Sequence, residues 1–221
     1  MQPEVVPPPP VPRPHAPRVH QIVDPAISRS KFEEQVGHFR ELEAVQRSRG
    51  ILMLEAIFPR VLLAFAAPGA MRPTPIVFAV ELDFTNYDLE PPSVKFVDPF
   101  TGVPLRIDQL GVQFIRQGPP IEVPTPQGLQ MMMPQPYPLV RYMQPNGLPF
   151  LCLPGVREYH NHPAHSGDSW LRHRQSGEGT LGFLVDQLHK YGISPIKGYQ
   201  FPLNFTLNMS AVGIEAGPFP A

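Results

Sequence analysis

The sequence predicts an α+β domain. A run near the N-terminus carries apolar residues at helical spacing, a series of short apolar runs follows with proline and glycine between them, and a second amphipathic stretch lies near the C-terminus. A helix followed by a strand meander is the pattern of a helix packed on one face of an antiparallel sheet. The predicted architecture is an N-terminal helix on a four-stranded antiparallel meander, then a long loop, then a C-terminal helix.

The first 20 residues hold eight prolines and almost no alternation of apolar and polar residues. Such a segment favours extended polyproline conformations and has too little apolar surface to order itself. A disordered arm is therefore predicted over residues 1–27, and the domain over 28–192. The first helix is predicted to start near Ser30, because Ser30 and Glu33 have capping-box spacing. Phe32, Val36, Phe39, Leu42 and Val45 recur every three or four residues and predict one buried helical face. Gly50 is the predicted stop.

Four strand-like runs come next: Ile51 to Phe58, Val61 to Ala66, Ile76 to Phe84 and Ser93 to Val97. Pro59, Pro68-Gly69 and Pro91-Pro92 punctuate them. Between about 98 and 138 nine prolines break any periodicity, and this reads as an insertion or long functional loop with at most one short element in Leu105 to Ile115. Met131, Met132 and Met133 suit gap-filling or an adaptable apolar contact. Two short extended pieces, Val140 to Met143 and Pro149 to Leu153, precede the final helix, Thr180 to Tyr191, with Leu181, Leu184, Val185 and Leu188 on one face and Gly192 as its stop. Residues 193–221 read as an irregular extension.

Composition narrows the function classes. Of 221 residues, 32 are proline, the formal net charge is −1, and charged residues make up only 17%. No basic excess is present to neutralise a run of phosphates, so a nucleic-acid binder is not predicted. No stretch reaches the ~18 apolar residues of a membrane span. The N-terminal stretch has no apolar signal core. With one cysteine, Cys152, no intrachain disulfide can form, and a cytoplasmic protein is predicted.

The richest chemistry surrounds that cysteine. Cys152, Glu158, His160, His162, His165, Asp168 and His173 fall between Cys152 and Arg174, and four of the eight histidines lie within 14 residues. Thiolate, imidazole and carboxylate are ligands for zinc and similar metals. On an extended strand Glu158, His160 and His162 share one face, and Pro163 bends the chain so that His165 can return toward it. Cys152, Glu158, His160, His162 and His165 are thus candidate ligands for Zn2+. The other reading makes Cys152 a nucleophile, its thiol activated by a nearby imidazole. Trp170, the one tryptophan, is predicted to pack on the final helix. Gly177-Glu178-Gly179 reads as a turn. A phosphate loop, a G-x-S-x-G elbow and an H-E-x-x-H helix are all missing from the sequence.

The order of these pieces resembles the ubiquitin-conjugating enzymes. The resemblance rests on the strand Val77 to Phe84, the step Tyr87-Asp88-Leu89-Glu90-Pro91-Pro92, the strand Ser93 to Phe96, the step Gln144-Pro145-Asn146, Cys152-Leu153, Trp170 and Leu181. Asp88 stands where that family has a proline, and Gln144 where it has a histidine. The resemblance implies a ubiquitin-conjugating-enzyme-like (UBC-like) fold, Cys152 as a thioester acceptor, Asn146 as an oxyanion-stabilising amide, and a ubiquitin-like modifier and its activating enzyme as partners. The run R-E-Y-H-N-H-P-A-H-S-G-D-S-W also resembles a bacterial family of predicted metal-binding domains with a Cys-Glu-His-His set, found beside ubiquitin-like conjugation components. That resemblance implies Cys152, Glu158 and two of His160, His162 and His165 as its four residues. The function expected from both is a divergent conjugating-enzyme-like component of a bacterial ubiquitin-like modification pathway. A non-catalytic zinc-binding module and an interaction scaffold using the arm and the methionines are the alternatives.

Overall fold

The computed structural model describes residues 21–69, 74–142 and 147–198. The first helix, α1, spans Pro25–Glu41, and α2 spans Glu43–Ser48. Four strands follow: β1 (Ile51–Ile57), β2 (Arg60–Ala66), β3 (Ile76–Asp83) and β4 (Ser93–Val97). They form one sheet in the order β1-β2-β3-β4, each pair antiparallel. This is the predicted meander.

The first helix begins earlier than Ser30. Asp24 caps it, its carboxylate accepting from the Ala26 amide at 2.9 Å, and Pro25 follows with its φ already helical. Ser30 is therefore an interior helical residue, and the last part of the predicted arm, residues 25–27, belongs to α1. Residues 1–20 of that arm lie outside the described residues. The predicted single face also divides. Phe32, Val36 and Phe39 are buried, whereas Leu42 and Val45 are 53% and 55% exposed. Leu42 interrupts the helix with φ −102°, so α2 turns a different side inward and buries Gln46. Gly50, with φ +82°, then redirects the chain into β1.

The insertion is not structureless. It holds a short 3-10 turn (Ile107–Gln109), β5 (Ile115–Arg116), a hairpin of β6 (Ile121–Thr125) and β7 (Gly128–Met132), and β8 (Tyr137–Pro138), which pairs with β5. Met131, Met132 and Met133 are all more than half exposed, so they fill no gap in the described fold. Next, β9 (Val140–Tyr142) pairs with β10 (Pro149–Leu151). The chain then forms α3 (Arg157–Asn161), two 3-10 turns (Pro163–His165 and Trp170–Arg172) and α4 (Leu181–Gly192), which Thr180 caps.

One core joins these parts. Alternation along the strands points Val61, Leu63, Phe65, Phe78, Val80, Leu82, Val94 and Phe96 to one face, where α1 and α4 cover them. Leu181, Leu184, Val185 and Leu188 of α4 are fully buried there, each contributing roughly 1.5–3 kcal/mol. The insertion joins the core through Phe114, whose ring lies 5.1 Å from Phe78 and 5.4 Å from Phe96. Gly192 is not a stop beyond the helix but its last residue. A Cβ there would lie 2.6 Å from Phe114 and 2.7 Å from Phe78, so glycine lets the helix end meet both rings. Among the described residues no helix is long and apolar enough to cross a membrane.

Candidate functional site

The site is assembled where β10 ends. The Cys152 amide donates to the Leu139 carbonyl at 2.7 Å, which fixes the cysteine one residue past the paired strand. The chain turns through 153–156 into α3, and the Arg157 amide donates to the Pro92 carbonyl at 3.0 Å. Pro163, at the start of its 3-10 turn, reverses the chain, and His165 returns to the cysteine. The Nε2 atom of His165 lies 3.3 Å from Cys152 Sγ. The two residues share a pocket of about 520 Å³ with Arg141, Tyr142, Phe150, His162 and Ala164.

The other predicted ligands are not gathered with them. The segment predicted as an extended strand is helical, and 100° per residue sends Glu158 and His160 to different sides. Glu158 accepts from the Ser93 hydroxyl and, at 3.2 Å, from the Val94 amide. It therefore faces β4 and a second cavity of about 350 Å³ lined by Val94, Leu148 and Phe150. Both ring nitrogens of His160 face carbonyl oxygens, Nδ1 that of Asp168 at 2.8 Å and Nε2 that of Pro154. His162 does reach the cysteine pocket. Its Nδ1 accepts from the Ala164 amide at 3.2 Å, and its ring centroid lies 5.6 Å from that of His165. Among the described residues no three His, Cys, Asp or Glu side chains are grouped so as to hold a metal ion. Asn146 lies outside the described residues.

A polar chain runs away from the pair. The Tyr159 ring stacks on His165 at 3.9 Å between centroids and 21° between planes. The Tyr159 hydroxyl donates to Asp168 Oδ2 at 2.7 Å. Asp168 Oδ1 accepts from His173 Nε2 at 2.7 Å, and His173 Nδ1 meets Glu178. Asp168 and His173 were visible in the sequence as polar residues near the cysteine, but not as a pair. Tyr159 was missed, because nothing marks a single tyrosine as a ring support.

Arg157 was also missed. Its side chain is 10% exposed. Nε donates to the Pro91 carbonyl at 3.1 Å and Nη2 to the Thr85 carbonyl, which bolts α3 to the loop 85–92. Trp170 is buried beside the turn that precedes α4. Its indole N–H donates to the Asp88 carbonyl at 2.8 Å, and its ring lies against Gly179, in the turn before the helix. Arg157 and Trp170 thus clamp the Tyr87-to-Pro92 step to the cysteine segment from two sides.

Burial raises the Cys152 thiol above its ordinary value, and the Arg141 charge opposes this only in part. Burial, then the neighbouring His162, lowers His165. At neutral pH the pair is therefore a thiol beside a neutral imidazole, not a standing thiolate–imidazolium couple. That arrangement suits general-base activation, in which the imidazole takes the proton as sulfur attacks. Asp168 is held below the usual carboxylate range by its bonds from His173 and Tyr159. His173 is raised by its bond to Asp168, which together with Glu178 outweighs its burial.

The described site falls within one family match. The model of the Y4jH family covers residues 23–196, and the chain is 42% identical over 201 residues to the "Uncharacterized protein y4jH" of Sinorhizobium fredii, spanning 90% of this chain and 98% of that protein.

Proposed function

The chain belongs to the Y4jH family, and from the geometry of its cysteine site we propose that it is an acyl-transfer protein of the conjugating-enzyme type. Cys152 accepts the C-terminus of a ubiquitin-like modifier as a thioester. The observation that carries this reading is the 3.3 Å contact between Cys152 Sγ and His165 Nε2 in an open pocket. The order of elements supports it: a helix, a four-stranded antiparallel meander, a cysteine after a short strand, then a further helix. We read that order as a divergent UBC-like fold and the protein as cytoplasmic. The partners in this reading are the modifier and its activating enzyme.

The step is a thioester exchange. His165 Nε2 takes the Cys152 proton as Sγ attacks the donor thioester carbonyl. The new carbon–sulfur bond forms, the donor carbon–sulfur bond breaks, and the proton passes from His165 to the departing thiolate. Arg141, at the pocket rim, favours the negative charge that develops there. Asn146, the amide suggested by the resemblance, would add an oxyanion donor. The test is incubation with the modifier, activating enzyme and ATP of the source organism. A thiol-sensitive adduct on wild type, missing from Cys152→Ala, is expected. No adduct on the wild type would end this reading.

A second reading, a zinc-binding module, draws only on Cys152, His162 and His165 lining the same pocket, and it requires the pocket to rearrange, since the three are not grouped so as to hold an ion. The larger five-residue set does not fit it, since Glu158 and His160 are engaged elsewhere. Stoichiometric zinc in purified protein, lost in Cys152→Ser and retained in Glu158→Gln, would favour it over acyl transfer.

A further inference from the structure

We propose that Tyr159 is a positioning residue that sets the His165 ring against Cys152, and that Asp168 and His173 hold Tyr159 in place. This rests on the acyl-transfer reading of the Cys152–His165 pair. His165 ends a three-residue 3-10 turn whose neighbours Ala164 and Ser166 are exposed. Among the described residues its Nδ1 has no hydrogen-bond partner, so no third polar group fixes its ring in the way an orienting carboxylate fixes the imidazole of a catalytic triad. The stacked face of Tyr159 takes that place. At 3.9 Å and 21° it holds the imidazole in the plane in which Nε2 lies 3.3 Å from the sulfur.

Tyr159 is itself fixed at its far end. Its hydroxyl donates to Asp168, Asp168 accepts from His173, and His173 meets Glu178. Glu178 sits in the turn just before α4, two residues ahead of its cap Thr180. The support for His165 therefore traces back to an element anchored in the core. Tyr159 also meets His160 edge to face at 5.0 Å, and His162 lies tilted beside His165 at 5.6 Å. Neither supplies a second stacked ring to His165.

Two readouts test this, using the intact chain. Cys152 is the sole cysteine, so iodoacetamide alkylation followed by mass spectrometry reports only the site. The His165 ring-proton shifts, assigned by their loss in His165→Ala, report the stack directly, because a ring face at that distance moves them upfield. Tyr159→Leu should return those shifts toward exposed-histidine values and slow alkylation roughly 3- to 10-fold, the range expected for losing one ordered aromatic contact. Tyr159→Phe should keep the upfield shifts and most of the rate, and Asp168→Asn should lie between. A slow His165→Ala with an unchanged Tyr159→Leu would overturn the positioning role and leave the Cys–His pair standing. Should His165→Ala alkylate like wild type, the pair itself is inactive and both readings fall.

Discussion

Replacing Arg157 with methionine removes the contacts that tie the cysteine segment to the loop 85–92, along with a 3.8 Å ion pair to Glu90. Methionine keeps much of the aliphatic stem and removes the guanidinium. Two buried carbonyls, those of Pro91 and Thr85, then lose their donors. Each orphaned buried acceptor costs roughly 1–3 kcal/mol, giving a gross loss of about 2–6 kcal/mol. The guanidinium no longer has to be desolvated, which offsets part of this. A net destabilisation of about 3 kcal/mol follows. For a domain of this size that lowers the Tm by roughly 6–12 °C. Urea titration should show a lower midpoint with an unchanged slope, since the same surface is exposed on unfolding. Arg157→Lys should fall between, because one ammonium cannot serve two carbonyls in a fork. A loss under about 0.5 kcal/mol, the range of ordinary surface substitutions, would refute the claim that Arg157 fastens α3 to the loop 85–92.

Other perturbations probe the same segment. Gly155→Ala would place a Cβ 1.8 Å from the Glu178 carbonyl oxygen, so two backbone segments must part. The expected cost is about 1–3 kcal/mol or more, and a thermal scan matching wild type would contradict it. Stability should also depend on pH at both ends. His173 has a raised pKa, so its contribution is complete below its ordinary value of 6.5 and fades as pH rises through the higher folded value. Asp168 has a lowered pKa, so its contribution is complete above its ordinary 3.8 and fades as pH falls through the lower folded value. Asp88 behaves like Asp168: burial works against its charge, but bonds from Lys31 and Arg174 outweigh that. Thermal melts across pH should lose the alkaline decline in His173→Gln, and identical profiles would contradict the assignment.

The sheet was legible because strand signals are local. Apolar runs bounded by Pro59, Pro68-Gly69 and Pro91-Pro92 gave all four strands within a residue or so of their ends. The final helix was legible for the same reason, from Thr180 and the spacing of Leu181, Leu184, Val185 and Leu188. The first helix was less so. Asp24-Pro25 outcompetes Ser30 as a cap, and the break at Leu42 has no proline or glycine to announce it. In the site, the return of His165 to Cys152 followed from the bend at Pro163. The fate of Glu158 and His160 did not, because period-2 logic fails in a five-residue helix set by a long-range bond from Arg157 to Pro92. Nor could the sequence show that Arg157 sits 66 residues from its carbonyl partner, or that Tyr159 meets His165 face to face.

In the proposed function Cys152 carries an acyl group with His165 as its base. The most direct measurement is intact-protein mass spectrometry after incubation with the modifier, its activating enzyme and ATP, for wild type, Cys152→Ala and His165→Ala. A single thiol-labile adduct is expected on wild type, none on Cys152→Ala, and a markedly slower one on His165→Ala. An unmodified wild-type protein, or an adduct that survives thiol and persists without Cys152, would contradict it.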